Sequence, residues 1–454
     1  MRRADESLPQ SFLASRSPLK TRSVLLASAS YGGTLAAVRN LAARGFDVGV
    51  VSSLRGFSAA AWSRHVSRSY VGPPESDHRR FVERLLQIGA KHPGQVLLPT
   101  SDETAWIYTE RRDELARVYR VNQPSLGCMR RILDKQLFAE AAASVGLSTL
   151  PEWYPGSLDE VEALAQRVEY PILVKRRTHV HRSTNDKGLV VHSKSQLIDE
   201  YRKFLAREAT RVATGGRLAF SGLPFLQQFV DTANEGVCSV TGFIDRTGES
   251  FVTRRSTKVF QRSVPVGVGV CFESRNPDVD LVQTVRRLCR ELDYFGIFEI
   301  EFVRFKGAWA AIDFNPRLFN QIALDIGRGM PLPAFAVLDA LGEIDAMRAM
   351  VAGAQIEDGC NSTVFADTFT LRAILLARRL TRRTSPSALA YWQGWIREHA
   401  GNLVDVARDE EDRIPALIHA LSEIHLGLKA IPKFLRLTPR ARRGSKKQRL
   451  GVDA

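Results

Sequence analysis

The run Gly296-Ile297-Phe298-Glu299-Ile300-Glu301-Phe302-Val303-Arg304-Phe305, then Lys306-Gly307, then Ala308-Trp309-Ala310-Ala311-Ile312-Asp313-Phe314-Asn315-Pro316-Arg317 decides the fold of this chain. It reads as a β-hairpin with acids set among apolar strand residues. Alternation with period 2 puts Glu299 and Glu301 on one face of the first strand, and Asp313 and Asn315 on one face of the second. A three-residue connection, Lys306-Gly307-Ala308, sets Glu301 opposite Asp313 and Glu299 opposite Asn315. A two-residue connection opposes Glu301 to Ile312 and sends the acids to different faces, because a one-residue slip flips every side chain. The three-residue register is the expectation. Carboxylates at cross-strand distance repel unless a cation lies between them, and a set of Glu, Asp and Asn oxygens suits Mg²⁺, with Mn²⁺ as a substitute, better than Zn²⁺.

The remainder of the chain supplies the context. At 454 residues it exceeds one hydrophobic core, and 44% hydrophobic with 25% charged residues is an ordinary soluble composition. No apolar run approaches the length of a spanning helix, and residues 1–22 read as a polar, disordered leader. The five cysteines, Cys128, Cys238, Cys271, Cys289 and Cys360, are scattered without metal-ligand spacing, which fits a reducing, cytoplasmic compartment. The formal charge of +15 is concentrated at the end: Lys429 to Arg449 holds nine basic residues and no acid. Such a run favours acidic partners, such as an anionic membrane surface on its inner face or nucleic acid, or is a solvated tail with no dedicated partner. No recognition module for specific nucleic acid accompanies it.

Ser23-Val24-Leu25-Leu26-Ala27, a helical pattern to Gly45, and Phe46 to Val51 read as βαβ, so residues 23–124 are expected to form a Rossmann-like domain. Gly32-Gly33 resembles a phosphate-binding turn without the spacing of a dinucleotide fingerprint. The strand Gln95 to Pro99 ends in Thr100-Ser101-Asp102-Glu103, where open α/β sheets bind ligands; Asp102 is either ligand-facing or the N-cap of the next helix. Residues 125–147 read as helical. A small α+β unit follows, at about 150–230, with strands Tyr170 to Lys175 and Leu223 to Val230. His179 and His181 lie in its polar loop and are read as loop residues with no special role. Beyond Leu371 an amphipathic basic helical region begins, expected to run to 431 before the tail at 432–454, and docking on the protein's own core is its favoured reading.

Asp134-Lys135 heading a helix, Pro171-Ile172-Leu173-Val174-Lys175, Gln227-Gln228-Phe229-Val230, Glu235 and the acid hairpin ending in Asn315-Pro316-Arg317 occur in an order that resembles the ATP-grasp superfamily, and within it the carboxylate-amine ligases of carbamoyl-phosphate-synthase-like and D-aspartate-ligase-like type. The resemblance implies an α/β and α+β architecture: a two-lobed ATP-grasp fold over residues 125–345, after the Rossmann-like domain. It implies that Lys135 and Lys175 reach the phosphates of ATP, that Gln227, Gln228, Phe229 and Val230 form the hinge strand at the nucleotide, with the Gln228 region and the Val230 backbone facing adenine, and that Glu235 holds ribose. Lys258 is placed near the γ-phosphate, with Arg255 and Arg262 as alternatives. Glu301, Asp313 and Asn315 are the implied Mg²⁺ ligands, and Arg317 steadies the transferred group. Asp313 stands where the family usually has Glu, and the loop after Lys175 is not glycine-rich. The implied reaction activates a small-molecule carboxylate as an acyl phosphate for attack by an amine. A nucleotide-binding regulatory protein without turnover and a biotin-carboxylase-like enzyme are the alternatives.

Overall fold

A computed structural model describes residues 22–53, 57–180, 188–213, 223–232, 236–262, 266–356, 362–381 and 384–436. The leader at 1–21, His181, Lys187, Glu235, Cys360 and the tail from 437 lie outside the described residues. Three sheets organise the rest. The first is wholly parallel, ordered Arg68–Val71, Asp47–Ser52, Ser23–Leu26, Gln95–Leu98, Tyr119–Val121. Its central strands are continuous apolar runs because helices cover both faces. The strand order reverses between Ser23–Leu26 and Gln95–Leu98, so the loops after these two strands open a crevice at their carboxyl ends.

The following helical stretch is two helices, Leu126–Leu133 and Lys135–Ser144. Asp134 divides them, capping the second by accepting from the backbone N–H of Gln136 and Leu137 at 3.0 and 3.3 Å. This cap puts Lys135 on the first helical residue and aims it at the acid hairpin. The small lobe is an antiparallel sheet ordered Glu152–Trp153, Phe225–Gln228, Ile172–Lys175, Leu189–Val191. Val161, Ile172, Val174, Leu197, Tyr201 and Leu226 form its own core beneath two helices. The eight-stranded sheet runs Leu403–Val404, Val364–Ala366, Gly269–Arg275, Phe251–Gln261, Val237–Ile244, Gly296–Phe305, Ala308–Asn315, Ser148–Thr149. One apolar core joins this sheet to the parallel one, running from Val24, Leu35 and Leu98 through Phe319 and Phe335 to Phe243, Phe272 and Phe365.

The hairpin reaches the expected facing of acids by a different route. Its turn is the two residues Lys306 and Gly307, with φ of 50° and 83°, and Phe305 pairs with Ala308. Positive φ at both positions matches the twist of the strands. A bulge then sets Ile312 and Asp313 together against Glu301, since Phe302 pairs with Ala311 while Glu301 pairs with Asp313 and Glu299 with Asn315. The extra residue restores the register that a two-residue turn alone would lose.

The region beyond 346 is mostly helical and also lends two edge strands to the large sheet. Helix Thr368–Leu380 docks through Leu371 and Leu375, which pack with Cys271, Val364 and Trp395. Asp412 ties the region to the first domain, accepting from Ser63 Oγ at 2.6 Å, Arg64 N at 2.9 Å and Arg39 Nε at 3.0 Å. Arg39 also donates to the Val406 carbonyl. The four described cysteines are buried and form no disulfide.

Candidate functional site

Two cavities meet behind the hairpin. The smaller, about 90 Å³, lies between the lobes and is lined by Lys175, Gln227, Gln228, Phe229, Val230, Lys258, Glu301 and Asp313, with Leu150, Leu173, Val303 and Ile312 as its apolar walls. The larger, about 470 Å³, lies at the reversal of strand order, between Ser28, Tyr31, Gly33, Thr34, Glu75 and Thr100 to Glu103 on one side and Glu299, Asn315 and Arg317 to Gln321 on the other. Glu301, Asp313 and His179 line both. The bulge explains the reach of the apolar wall: Ile312 shares the face of Asp313 and enters the smaller cavity.

Most of the residues singled out in the sequence converge here. Lys135 pairs with Asp313, and Lys258 Nζ lies 3.3 Å from Glu301 Oε1. The carboxylates therefore face ammonium groups as well as each other. Lys175 is buried and donates to Gln227 Oε1 at 3.3 Å, while Gln227 Nε2 donates to Glu152 Oε1 at 2.6 Å. Burial, with Lys135 nearby, pushes the Lys175 pKa down to about 8. Burial likewise raises the Glu152 carboxyl. The strand Phe225–Gln228 ends at Gln228, so Phe229 and Val230 lie just past it at the cavity wall. Of the three basic alternatives, Lys258 faces the cavity. Arg262 pairs with Glu423 at 2.7 Å, and Arg255 lies over Trp309 and donates to the Asn276 carbonyl at 2.9 Å. Arg317 Nη2 donates to Asn315 Oδ1 at 2.8 Å and Nε to Asp102 Oδ1 at 2.9 Å.

Glu299 sits behind the pair, accepting from Ser239 Oγ at 3.0 Å, Asn315 Nδ2 at 3.1 Å and Gln321 Nε2. Burial and the neighbouring Glu301 push its carboxyl up to about 7. Asp313 moves the other way. Burial alone would raise it, but the Lys135 ammonium, with His179 and Lys175, holds it well below the usual carboxylate range. Among the described residues no group of three or more His, Cys, Asp or Glu is arranged to hold a metal ion. The set read from the sequence, Glu301, Asp313 and Asn315, offers two carboxylates and one amide, with the Glu299 carboxyl behind it.

Two residues carry more than the sequence assigned them. Ser101, with Thr104, caps the helix Asp102–Glu110, which frees the Asp102 side chain. Asp102 Oδ2 lies 3.2 Å from His179 Nδ1, so the loop histidine taken as featureless is fixed at the junction of the cavities. Burial pushes the His179 pKa down; at Asp102 the opposing charges of Arg317 and His179 outweigh burial and hold the carboxyl far below its ordinary value. Seventy-seven residues separate the two, and no spacing rule could have joined them. Gly33 is also explained differently: a Cβ there would stand 2.3 Å from the Phe319 carbonyl oxygen, so the glycine admits the loop that closes the larger cavity.

No protein-family model matches the sequence, and no curated protein sequence matches it. Solved structures do. The biotin carboxylase of Campylobacter jejuni, in complex with β,γ-ATP, superposes with a TM-score of 0.56 at 16% identity over 71% of each chain. The biotin carboxylase domain of Hydrogenobacter thermophilus 2-oxoglutarate carboxylase, with MgADP, ADP and bicarbonate, gives 0.56 at 16% identity over 71% of this chain and 70% of that one. An L-amino acid ligase from Bacillus licheniformis gives 0.52 at 13% identity over 70% and 76%. These superpositions cover about seven-tenths of the chain, including its two-lobed body: the chain has the ATP-grasp fold.

Proposed function

We propose that this protein is an ATP- and Mg²⁺-dependent ligase that activates a carboxylate as an acyl phosphate and passes it to an amine. One observation carries the reading: a cleft lined by two lysines and apolar walls shares Glu301, Asp313 and His179 with a larger polar cavity. That geometry suits a nucleotide whose terminal phosphate points at a second substrate. In this reading Leu150, Leu173, Val303 and Ile312 sandwich adenine, while Gln228, Phe229 and Val230 offer backbone groups to its edge. Glu235, assigned to ribose by resemblance, remains part of the proposal. Lys135 and Lys175 neutralise phosphates from the two lobes, Lys258 approaches the terminal phosphate, and Arg317, oriented by Asp102 and Asn315, holds the transferred group.

Glu301, Asp313 and Asn315 would hold magnesium. Two carboxylates and an amide fit an ion that keeps several waters and takes its other ligands from phosphate oxygens. Magnesium supplies neutralisation of charge between phosphates when bound. The likeness to a biotin carboxylase bound to β,γ-ATP and to a carboxylase domain bound to MgADP supports the nucleotide, and the likeness to an L-amino acid ligase supports the carboxylate-amine chemistry.

The test is release of ADP from Mg²⁺-ATP across a panel of carboxylic acids with hydroxylamine as the amine, scored for hydroxamate. Hydroxamate formed with one acid, and lost in Arg317→Ala, supports the reading. Nucleotide binding with no acid-dependent ADP release across the panel would favour a regulatory nucleotide-binding role.

A further inference from the structure

Helix Ile414–Arg436 is pinned to the body of the protein through one face, at His419 and Glu423, and through its flank, at His425. His419 Nε2 lies 2.9 Å from Asp367 Oδ2, Glu423 pairs with Arg262 at 2.7 Å, and the His425 ring stacks on Phe57 at 5.0 Å. These three contacts fix the helix's rotation. On its other side Ile414, Leu417, Leu421 and Ile424 follow one another at intervals of three and four residues and so share one stripe. They are 54, 60, 46 and 52% exposed. A folded protein has no need of four large aliphatic side chains in a row facing water, and a stripe of this kind marks an interaction surface. In the sequence the same spacing continues through Leu428, Ile431 and Leu435.

We propose that this stripe lies on an anionic lipid surface, with the basic C-terminal run as its electrostatic anchor. Charge selects the occupant. The nine cations between Lys429 and Arg449, without an acid among them, follow directly on the stripe. A helix with an apolar face and adjoining Lys and Arg is built for the boundary between head groups and acyl chains. A second copy of the chain seated on the stripe would bring two such runs together, and their repulsion opposes it. Nucleic acid would meet the cations but leave the stripe in water. The acids that adjoin the stripe, Asp409, Glu410, Glu411 and Asp412, precede its first residue, and Glu423 is turned to the body of the protein where it pairs with Arg262, so the helix approaches the surface with its carboxyl-terminal part first.

The full-length protein should co-sediment with vesicles of phosphatidylcholine containing phosphatidylglycerol and only weakly with phosphatidylcholine alone. Raising salt should weaken the binding as the tail's charges are screened. Leu417→Glu with Leu421→Glu should lower partitioning to the anionic vesicles by at least about tenfold, the effect of withdrawing two buried leucines from an apolar phase. Both positions face solvent, so the thermal midpoint should not move, which separates loss of the surface from loss of the fold. Failure of the unaltered protein to bind anionic vesicles overturns the proposal. So does a dimer by light scattering that the same double substitution dissociates, because the stripe would then be an interface between copies.

Discussion

Lys175 shows how burial prepares a side chain for phosphate. Its ammonium lies among Gln227, Phe225 and Lys135 with little water, and its pKa falls from 10.5 to about 8. Lys175→Ala should weaken ATP binding by about 1.5–3 kcal/mol, the range for a hydrogen bond to a charged group, and calorimetry at pH 7 measures it. The pH dependence follows with a definite sign. Between pH 8 and 10.5 the folded chain has released a proton that the unfolded chain still holds, so this group makes the fold more stable as pH rises. Nucleotide affinity runs the opposite way, because the charge facing phosphate is lost. Affinity of the unaltered protein should drop between pH 7 and 9, and the drop should shrink in Lys175→Ala; equal slopes would remove Lys175 from the phosphate site. The place of this lysine, buried at the end of an apolar strand and lining the cavity, was legible in the sequence because it belongs to an ordered set of motifs. His179 was not, since its meaning comes only from Asp102, brought to it from another domain by the fold.

At the scale of the element, the acid hairpin combines a correct facing with a misread turn. Alternation together with a three-residue connection put Glu301 and Asp313 face to face, but a bulge is silent in a pattern of apolar and polar residues, and so the loop length was assigned one residue too long. The lysines opposite the acids were silent too. They change the expected behaviour of substitutions, because Glu301 and Asp313 are already neutralised by Lys258 and Lys135. Glu301→Gln should therefore abolish ligase turnover without raising the ligand-free thermal midpoint, and should diminish the midpoint shift given by Mg²⁺-ATP, as linkage requires when affinity falls. Full turnover with a full ligand shift would remove Glu301 from the metal set. Glu299 differs, because its raised pKa means that the folded chain binds the proton more tightly. Its ionisation costs stability progressively from pH 4.5 to about 7, and the cost is complete above that. The midpoint of Glu299→Gln minus that of the parent should thus grow between pH 4.5 and 7. A difference that stays constant over this window would show Glu299 to be ionised throughout.

For the whole molecule, the two-lobed plan was readable because each motif constrains the next, whereas the path of the last hundred residues was not. Docking on the core was the favoured reading of the basic amphipathic region, but only the structure shows which leucines are covered: Leu371 and Leu375 are, Leu417 and Leu421 are not. Deleting everything after Ile431 should leave acid-dependent ADP release unchanged while removing salt-sensitive adsorption to anionic vesicles, and lost turnover would assign the tail to the catalytic fold. The clamp at Asp412 carries a further consequence, for the order in which the protein is made. Helix Gly32–Ala42 leaves the ribosome early, yet Gly33 packs on the Phe319 carbonyl and Arg39 must wait for Val406 and Asp412. The first domain to be synthesised is thus among the last to be finished, and until then a nascent chain holds an uncovered helix face and an unpaired guanidinium that the completed protein conceals.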